Sequence, residues 1–363
     1  MSADPFDLIE QAVQASGAAS ALDLLARKFL SEKRYPQLFE ARLMQKRLDL
    51  GLPLIQSGPL DVAAYRQAMA QAARDVGSLF LADGDIVRAW PYFRAVGDRE
   101  PIIAAIEQLK ADQVAEGLIE IALGERVNPL KGLELLIARE GICRAITYYQ
   151  QFPDLEPRQE CLELLVRSLH QELVTSLQEA IGRREGCAPH ATSIAQLIGG
   201  RDWLFGEYDA YVDTSHVANV IRLALDLEDP EAIRLALDLC EYGAHLSPQF
   251  KLRGEPPFRD IYLDYAIYLR ALVGENSDDA IAHFRGKIAP DDPSSAEALV
   301  DLLVRLRRYR EALEVSLEQL KDSPRLLELC QLAGDTQRLK QLARERGDML
   351  GFAAGTVQAT LRR

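Results

Sequence analysis

Apolar residues return at helical spacing along almost the whole 363-residue chain, and strand-like alternation of β-branched residues is missing over any useful length. Ala21, Leu24, Leu25, Phe29 and Leu30 make one stripe; Val220, Leu223, Ala224 and Leu227 make a second; Leu299, Leu302, Leu303 and Leu306 make a third. Short breakers separate such stripes: Gly51-Leu52-Pro53, Gly84-Asp85, Gly97-Asp98, Asp229-Pro230, Asp291-Asp292-Pro293, Ser323-Pro324 and Gly334-Asp335. A glycine there can close one helix, an Asp or Ser can accept from the free amides of the next, and a proline fits its first turn. Helices of about 12 to 18 residues joined by tight turns predict antiparallel helical hairpins. The expected fold class is all-α.

Charge and missing motifs narrow the function. Lys and Arg number 42 against 55 Asp and Glu, a formal net charge of −13. Such a chain repels phosphate backbones, because non-specific nucleic-acid affinity comes from Lys and Arg neutralising phosphates. Neither nucleic acid nor an anionic membrane surface is expected as a partner. No run of about 18 apolar residues offers a membrane span, and Asp4 and Asp7 stand where a signal peptide needs positive charge. The five cysteines are scattered, odd in number and never form C-x-x-C, which reads as reduced thiols in a cytoplasmic protein. There is no phosphate-binding loop, G-x-G-x-x-G, H-E-x-x-H or G-x-S-x-G, and no cofactor is expected.

Hairpins either close into a bundle or stack, and stacking leaves a repeat in the sequence. Between Ala73 and Pro101, Val76, Gly77 and Phe80 fall at the L-G-x-x-Y places of a repeat pattern. Gly84-Asp85 makes the turn, and Ala89, Phe93 and Pro101 supply the A-x-x-x-F…P part. A glycine or alanine where helices touch lets the backbones approach, and the aromatic fills the adjacent hole. The segment resembles a tetratricopeptide repeat, with Ala73 in place of the usual Trp. A more degenerate copy runs from Ala296 to Pro324, where Leu299, Tyr309, Ala312 and Pro324 correspond, Val300 takes the small position and Ser316 the aromatic one. The two windows cover under a fifth of the chain. The resemblance implies a right-handed solenoid of stacked hairpins whose usual work is protein–protein contact.

Two interruptions suggest the organisation. Gly182–Gly200 holds four glycines and a proline and is expected to join an N-terminal half, residues 1–181, to a C-terminal half, residues 201–363. Ser247–Asp260 is a long loop whose aromatics and cations, among them Lys251 and Arg253, predict that it packs on something.

Chemistry is concentrated in Arg201–His216, with four aromatics, four carboxylates and a histidine in a chain that is 7% aromatic. Two readings stand side by side. In the first, Asp213 or Thr214 caps a helix running on through Val217, and the aromatics plug the gap between helices. In the second, Asp213 and His216 do acid–base work with Asp264, His216 being kept neutral at a helix N-terminus, and Trp203, Tyr211 and Tyr262 line a groove. Glu241 and His245 are four apart on one helix face, as are Asp279 and His283. With His216, Glu241 and His245 would make three metal ligands with an open position for water. The basic cluster Arg305, Arg307, Arg308 and Arg310 is either a solvated face or a clamp for carboxylates. The arginines and lysine at 338–346 pose the same choice.

These observations lead to a non-enzymatic protein- or peptide-binding module with an acidic partner, held by Arg305, Arg307, Arg308, Arg310, Lys251 and Arg253. The alternative is an enzyme or small-ligand binder centred on Asp213 and His216. A third reading, self-association, rests on apolar Leu350, Phe352 and Val357 near the C-terminus.

Overall fold

Helix starts follow from side chains that reach back to free amides. The computed structural model describes residues 4–54, 62–110, 114–206 and 209–361. In it the side chains of Asp85, Asn128, Asp229, Asp260 and Asp335 each accept from the amide three residues on, and Asp213 accepts from that of Ser215. Helix ends use glycine: Gly84 and Gly334 have φ of +78° and +70°, a conformation that costs other residues strain.

The helices are α1 (Pro5–Ser31, kinked at Gly17), α2 (Tyr35–Asp49), α3 (Ala63–Ala82), α4 (Ile86–Ala95), α5 (Glu100–Glu107), α6 (Pro129–Glu140) and α7 (Ile142–Gln151). They continue as α8 (Arg158–Glu185), α9 (Ile194–Ile198), α10 (Thr214–Leu223), α11 (Pro230–His245), α12 (Ile261–Leu272) and α13 (Ser277–Arg285). The last five are α14 (Ser294–Arg305), α15 (Tyr309–Gln319), α16 (Leu326–Ala333), α17 (Thr336–Glu345) and α18 (Met349–Leu361). Among the described residues the only β pairing is two isolated bridges, Arg253 with Asp260 and Ala289 with Asp292. The fold is all-α. No helix among the described residues is long and apolar enough to cross a membrane.

The chain forms two compact units, residues 1–145 with 154–157, and residues 146–153 with 158–363. In the first, α1 packs on α2, α2 on α3, and α3 on α4 and α5. The α3–α4 contact is set by Gly77, where a Cβ would stand 2.6 Å from the Phe93 ring. Phe93 is buried there with Val76, Phe80, Ala89 and Trp90.

In the second unit α8 is a long central rod. Leu162, Leu165, Leu169, Leu173 and Leu177 recur at three- and four-residue intervals and are all fully buried. The segment 182–200, expected as a junction, lies inside this unit. Its anchor is Asp238 on α11, whose carboxylate accepts from the Ile194 amide at 3.0 Å and the Ser193 hydroxyl at 3.3 Å. His170 Nε2 on α8 lies 3.1 Å from the same carboxylate. Burial pushes the Asp238 carboxyl up, but its bonds to His170, Ile194 and Ser193 outweigh that and hold it below its ordinary value. Beyond α11 the order is serial: α12 packs on α13, α13 on α14, and so on to α18. The window 296–324 is the α14–α15 hairpin, with Ser316 buried where the repeat pattern has an aromatic.

Two outcomes follow. Gly77→Ala should lower stability by about 1–3 kcal/mol through overpacking against Phe93, and an unchanged urea midpoint would contradict this contact. Asp238→Ala should cost about 1–3 kcal/mol by leaving buried donors unpaired. Because the folded-state carboxyl is depressed, that difference from wild type is present above its ordinary value of 3.8 and fades as pH falls through the lower folded-state value. Urea titrations of both proteins at a series of pH values read it directly.

Candidate functional site

The loop 247–260 is tied down by side chains of α12 and of the segment from α13 to the start of α14. Gly243 on α11 receives the Tyr262 ring of α12, so closely that a Cβ there would stand 2.0 Å from it. Phe258, from the loop, inserts among Tyr265, Tyr268 and Phe284, with ring centroids 4.2, 6.0 and 5.3 Å away. Burial pushes the Tyr265 phenol up to about 12 and raises that of Tyr268 further.

The lock on the loop is Asp264, which is 2% exposed on α12. One carboxylate oxygen accepts from the Asp260 amide at 3.0 Å, and the other meets His283 Nε2 at 2.9 Å and the Lys287 ammonium. Lys287 also donates to the Pro257 carbonyl at 2.7 Å, and the Ser294 hydroxyl donates to the Pro256 carbonyl at 3.1 Å. A buried carboxylate is tolerable only with charge and hydrogen bonds on both oxygens, which these groups supply.

So anchored, the loop borders an open cleft of about 530 Å³ against the start of α12. Lys251, Arg253, Arg259, Asp260 and Tyr262 line it. Lys251 donates to the Ala244 carbonyl at 2.6 Å. Arg253 and Arg259 are exposed, and neither forms an ion pair among the described residues. Asp260 caps α12 through the Leu263 amide at 3.1 Å. The Tyr262 hydroxyl is buried, and no group among the described residues accepts its O–H. Burial raises its phenol, with the nearby Leu252 amide acting in the opposite direction.

The residues singled out in the sequence are dispersed. Asp213 caps α10, and its bonds to the Ser215 side chain and amide hold its carboxyl below the usual range. His216 Nε2 lies 3.8 Å from Asp213 within the same turn. Asp264 faces His283 and Lys287, so the structure does not join Asp213, His216 and Asp264 into one acid–base group. His245 Nδ1 lies 2.9 Å from its own helix's Glu241 carbonyl oxygen, under the Phe205 ring. Among the described residues no three His, Cys, Asp or Glu side chains stand where they can hold one metal ion, and His216, Glu241 and His245 are not gathered. The Arg184 guanidinium covers the Trp203 ring at 4.4 Å, and the Tyr211 amide donates to the Tyr242 hydroxyl at 3.0 Å. Of those three groove candidates only Tyr262 reaches the loop cleft. Glu207 and Tyr208, in the same dense stretch, lie outside the described residues.

The arginine cluster divides in two. Arg305 points inward and clamps the carbonyls of Leu225 and Leu227, and Arg308 pairs with Glu311 at 2.5 Å and with Asp278. Arg307 and Arg310 are exposed without an ion pair among the described residues and line a second cleft of about 330 Å³ beside α16. Near the C-terminus Arg346 donates to the Ser323 carbonyl at 3.0 Å and the Arg344 guanidinium lies 4.9 Å over Phe352, while Leu350 and Val357 are 84% and 57% exposed.

Sequence reasoning missed Lys287 as a site member and the whole His170–Asp238 link, and took Arg259 only as one cation of the loop. Arg259 carries a signal, since it lies in the loop whose aromatics predict packing. His170 and Asp238 are 68 residues apart and carry none. Comparison of the chain with protein-family models, curated proteins and solved structures yields no match.

Asp264→Ala should leave Lys287 and His283 without their buried partner, cost about 3 kcal/mol, and speed amide hydrogen exchange in 247–260 ahead of α16–α18. Unchanged protection in the loop would contradict its role as the lock.

Proposed function

We propose that the chain is a non-enzymatic helical-repeat module that binds an acidic protein or peptide, its hairpins stacking as a tetratricopeptide-like right-handed solenoid. The serial packing of α12 through α18, each on its neighbour, supports the repeat architecture. The observation that carries the binding assignment is the placement of four arginines at two clefts. Among the described residues, Arg253 and Arg259 line the loop cleft and Arg307 and Arg310 the cleft beside α16, all exposed with no ion pair on a chain whose carboxylates outnumber its cations, 55 to 42. Where intramolecular carboxylates are that abundant, an exposed guanidinium without one is available to a carboxylate from outside.

Lys251, Arg253, Arg307 and Arg310 are therefore the contact residues, and Arg305 and Arg308 act by holding the scaffold that presents them. Scattered cysteines without a C-x-x-C pair support work in a reducing cytoplasm. This reading assigns the module no chemical step and no cofactor.

The test is fluorescence anisotropy of a glutamate-rich labelled peptide with the full chain. Binding should weaken steadily with added salt, since exposed charges are screened beyond about 8 Å at physiological ionic strength. Arg307→Glu combined with Arg310→Glu should weaken it by about tenfold or more. Equal affinity of that variant and wild type would sink the assignment.

A further inference from the structure

The loop cleft has a composition that the acidic-partner reading does not use. Three cations, Lys251, Arg253 and Arg259, face one carboxylate, Asp260, so the lining carries a net charge of +2. The carboxylate is already engaged at the Leu263 amide of α12, which leaves the guanidinium groups as the free donors of the site. Lys251 directs one N–H at the Ala244 carbonyl and retains the others. Beside them stands the Tyr262 hydroxyl, buried and with no acceptor for its O–H among the described residues. A buried O–H without an acceptor is an uncompensated loss on folding, so its retention in a cleft wall points to an acceptor that arrives with a ligand.

We propose that this cleft is a binding site for a small-molecule phosphomonoester. The charge selects the anion: a phosphomonoester carries about −1.5 to −2 at neutral pH, whereas a carboxylate carries a single charge. The donor types agree with this, because a guanidinium fork can engage two phosphoryl oxygens and a phenol can donate to a third. The size selects an ester over the bare ion. A cleft of about 530 Å³ is in the range of small-molecule sites and far exceeds one phosphoryl group. Pro248 and Leu252 give the same lining an apolar stretch for the organic remainder. The Asp264–Lys287 lock fixes the loop backbone beside the cleft at Pro257 and Asp260.

The site shares Lys251 and Arg253 with the acidic-partner reading, yet it needs no peptide, and the two separate by experiment. Titration calorimetry of the full chain would use glycerol 3-phosphate, inorganic phosphate, sulfate and N-acetylphosphoserine amide. Saturable binding of glycerol 3-phosphate, tighter than inorganic phosphate and much tighter than sulfate, is the expected result. Arg253→Gln, Arg259→Gln and Tyr262→Phe should each weaken it by about tenfold, while the Arg307→Glu, Arg310→Glu variant binds it like wild type. Tyr262→Phe keeps the ring that packs on Gly243, so the fold is preserved, and it should leave the acidic peptide's affinity unchanged. Tighter binding of N-acetylphosphoserine amide than of glycerol 3-phosphate would overturn the small-molecule assignment in favour of a phosphorylated partner. Sulfate binding as well as phosphate, no saturable heat with any probe, or wild-type affinity in all three cleft variants would overturn the site itself.

Discussion

The architecture depends on how closely two helices can approach. At Gly77 against Phe93 in the first unit, and at Gly243 against Tyr262 in the second, a hydrogen atom stands where any other residue would place a Cβ within 2.6 and 2.0 Å of an aromatic ring. Helix axes separate by whatever the side chains between them require, so one missing Cβ sets the spacing for a whole hairpin. The aromatic then fills the volume that the close approach would otherwise leave empty. In the second unit the same contact fixes Tyr262 and so places the first turn of α12, from which Asp260 and Asp264 govern the loop.

Buried carboxylates perform the second task, holding irregular segments against helices. Asp238 and Asp264 use the same chemistry at separate places. Each accepts a backbone amide from an irregular stretch or its end, Ile194 and Asp260 respectively, and each faces a histidine from another helix, His170 and His283. A loop carries backbone groups that a helix would satisfy internally, and a carboxylate with two acceptor oxygens can serve several such donors at once. The segment 182–200 is consequently part of the second unit and the loop 247–260 is a defined surface.

Charge is distributed with a similar division of labour. Arg305 and Arg308 belong to the scaffold, one satisfying carbonyls just beyond the end of α10 and the other bridging to Asp278 and Glu311. Arg307, the left-handed residue of the α14–α15 turn with φ of +59°, faces outward because the turn directs it there. Neighbours in sequence thus differ in role for reasons of backbone direction, which composition cannot express.

The helical periodicity, the turn residues and the capping aspartates are legible in the amino-acid order alone, as at Gly84-Asp85 and Asp229-Pro230, because each depends on atoms within about four residues of one another. The cap formed by Asp213 is local in the same sense. The partner of Asp264 is not, since α12 and α13 meet at a crossing that no local pattern encodes and His283 turns to Asp264 in preference to Asp279, its neighbour in sequence. The sequence by itself determined that this chain is a succession of capped helical hairpins with an acidic surface. Only the tertiary structure decided where the chain divides into units, which arginines remain unpaired, and that Lys251, Arg253, Arg259 and Tyr262 line one cleft. Those outcomes depend on which helix faces meet, and that is fixed by the summed packing of residues far apart in the chain.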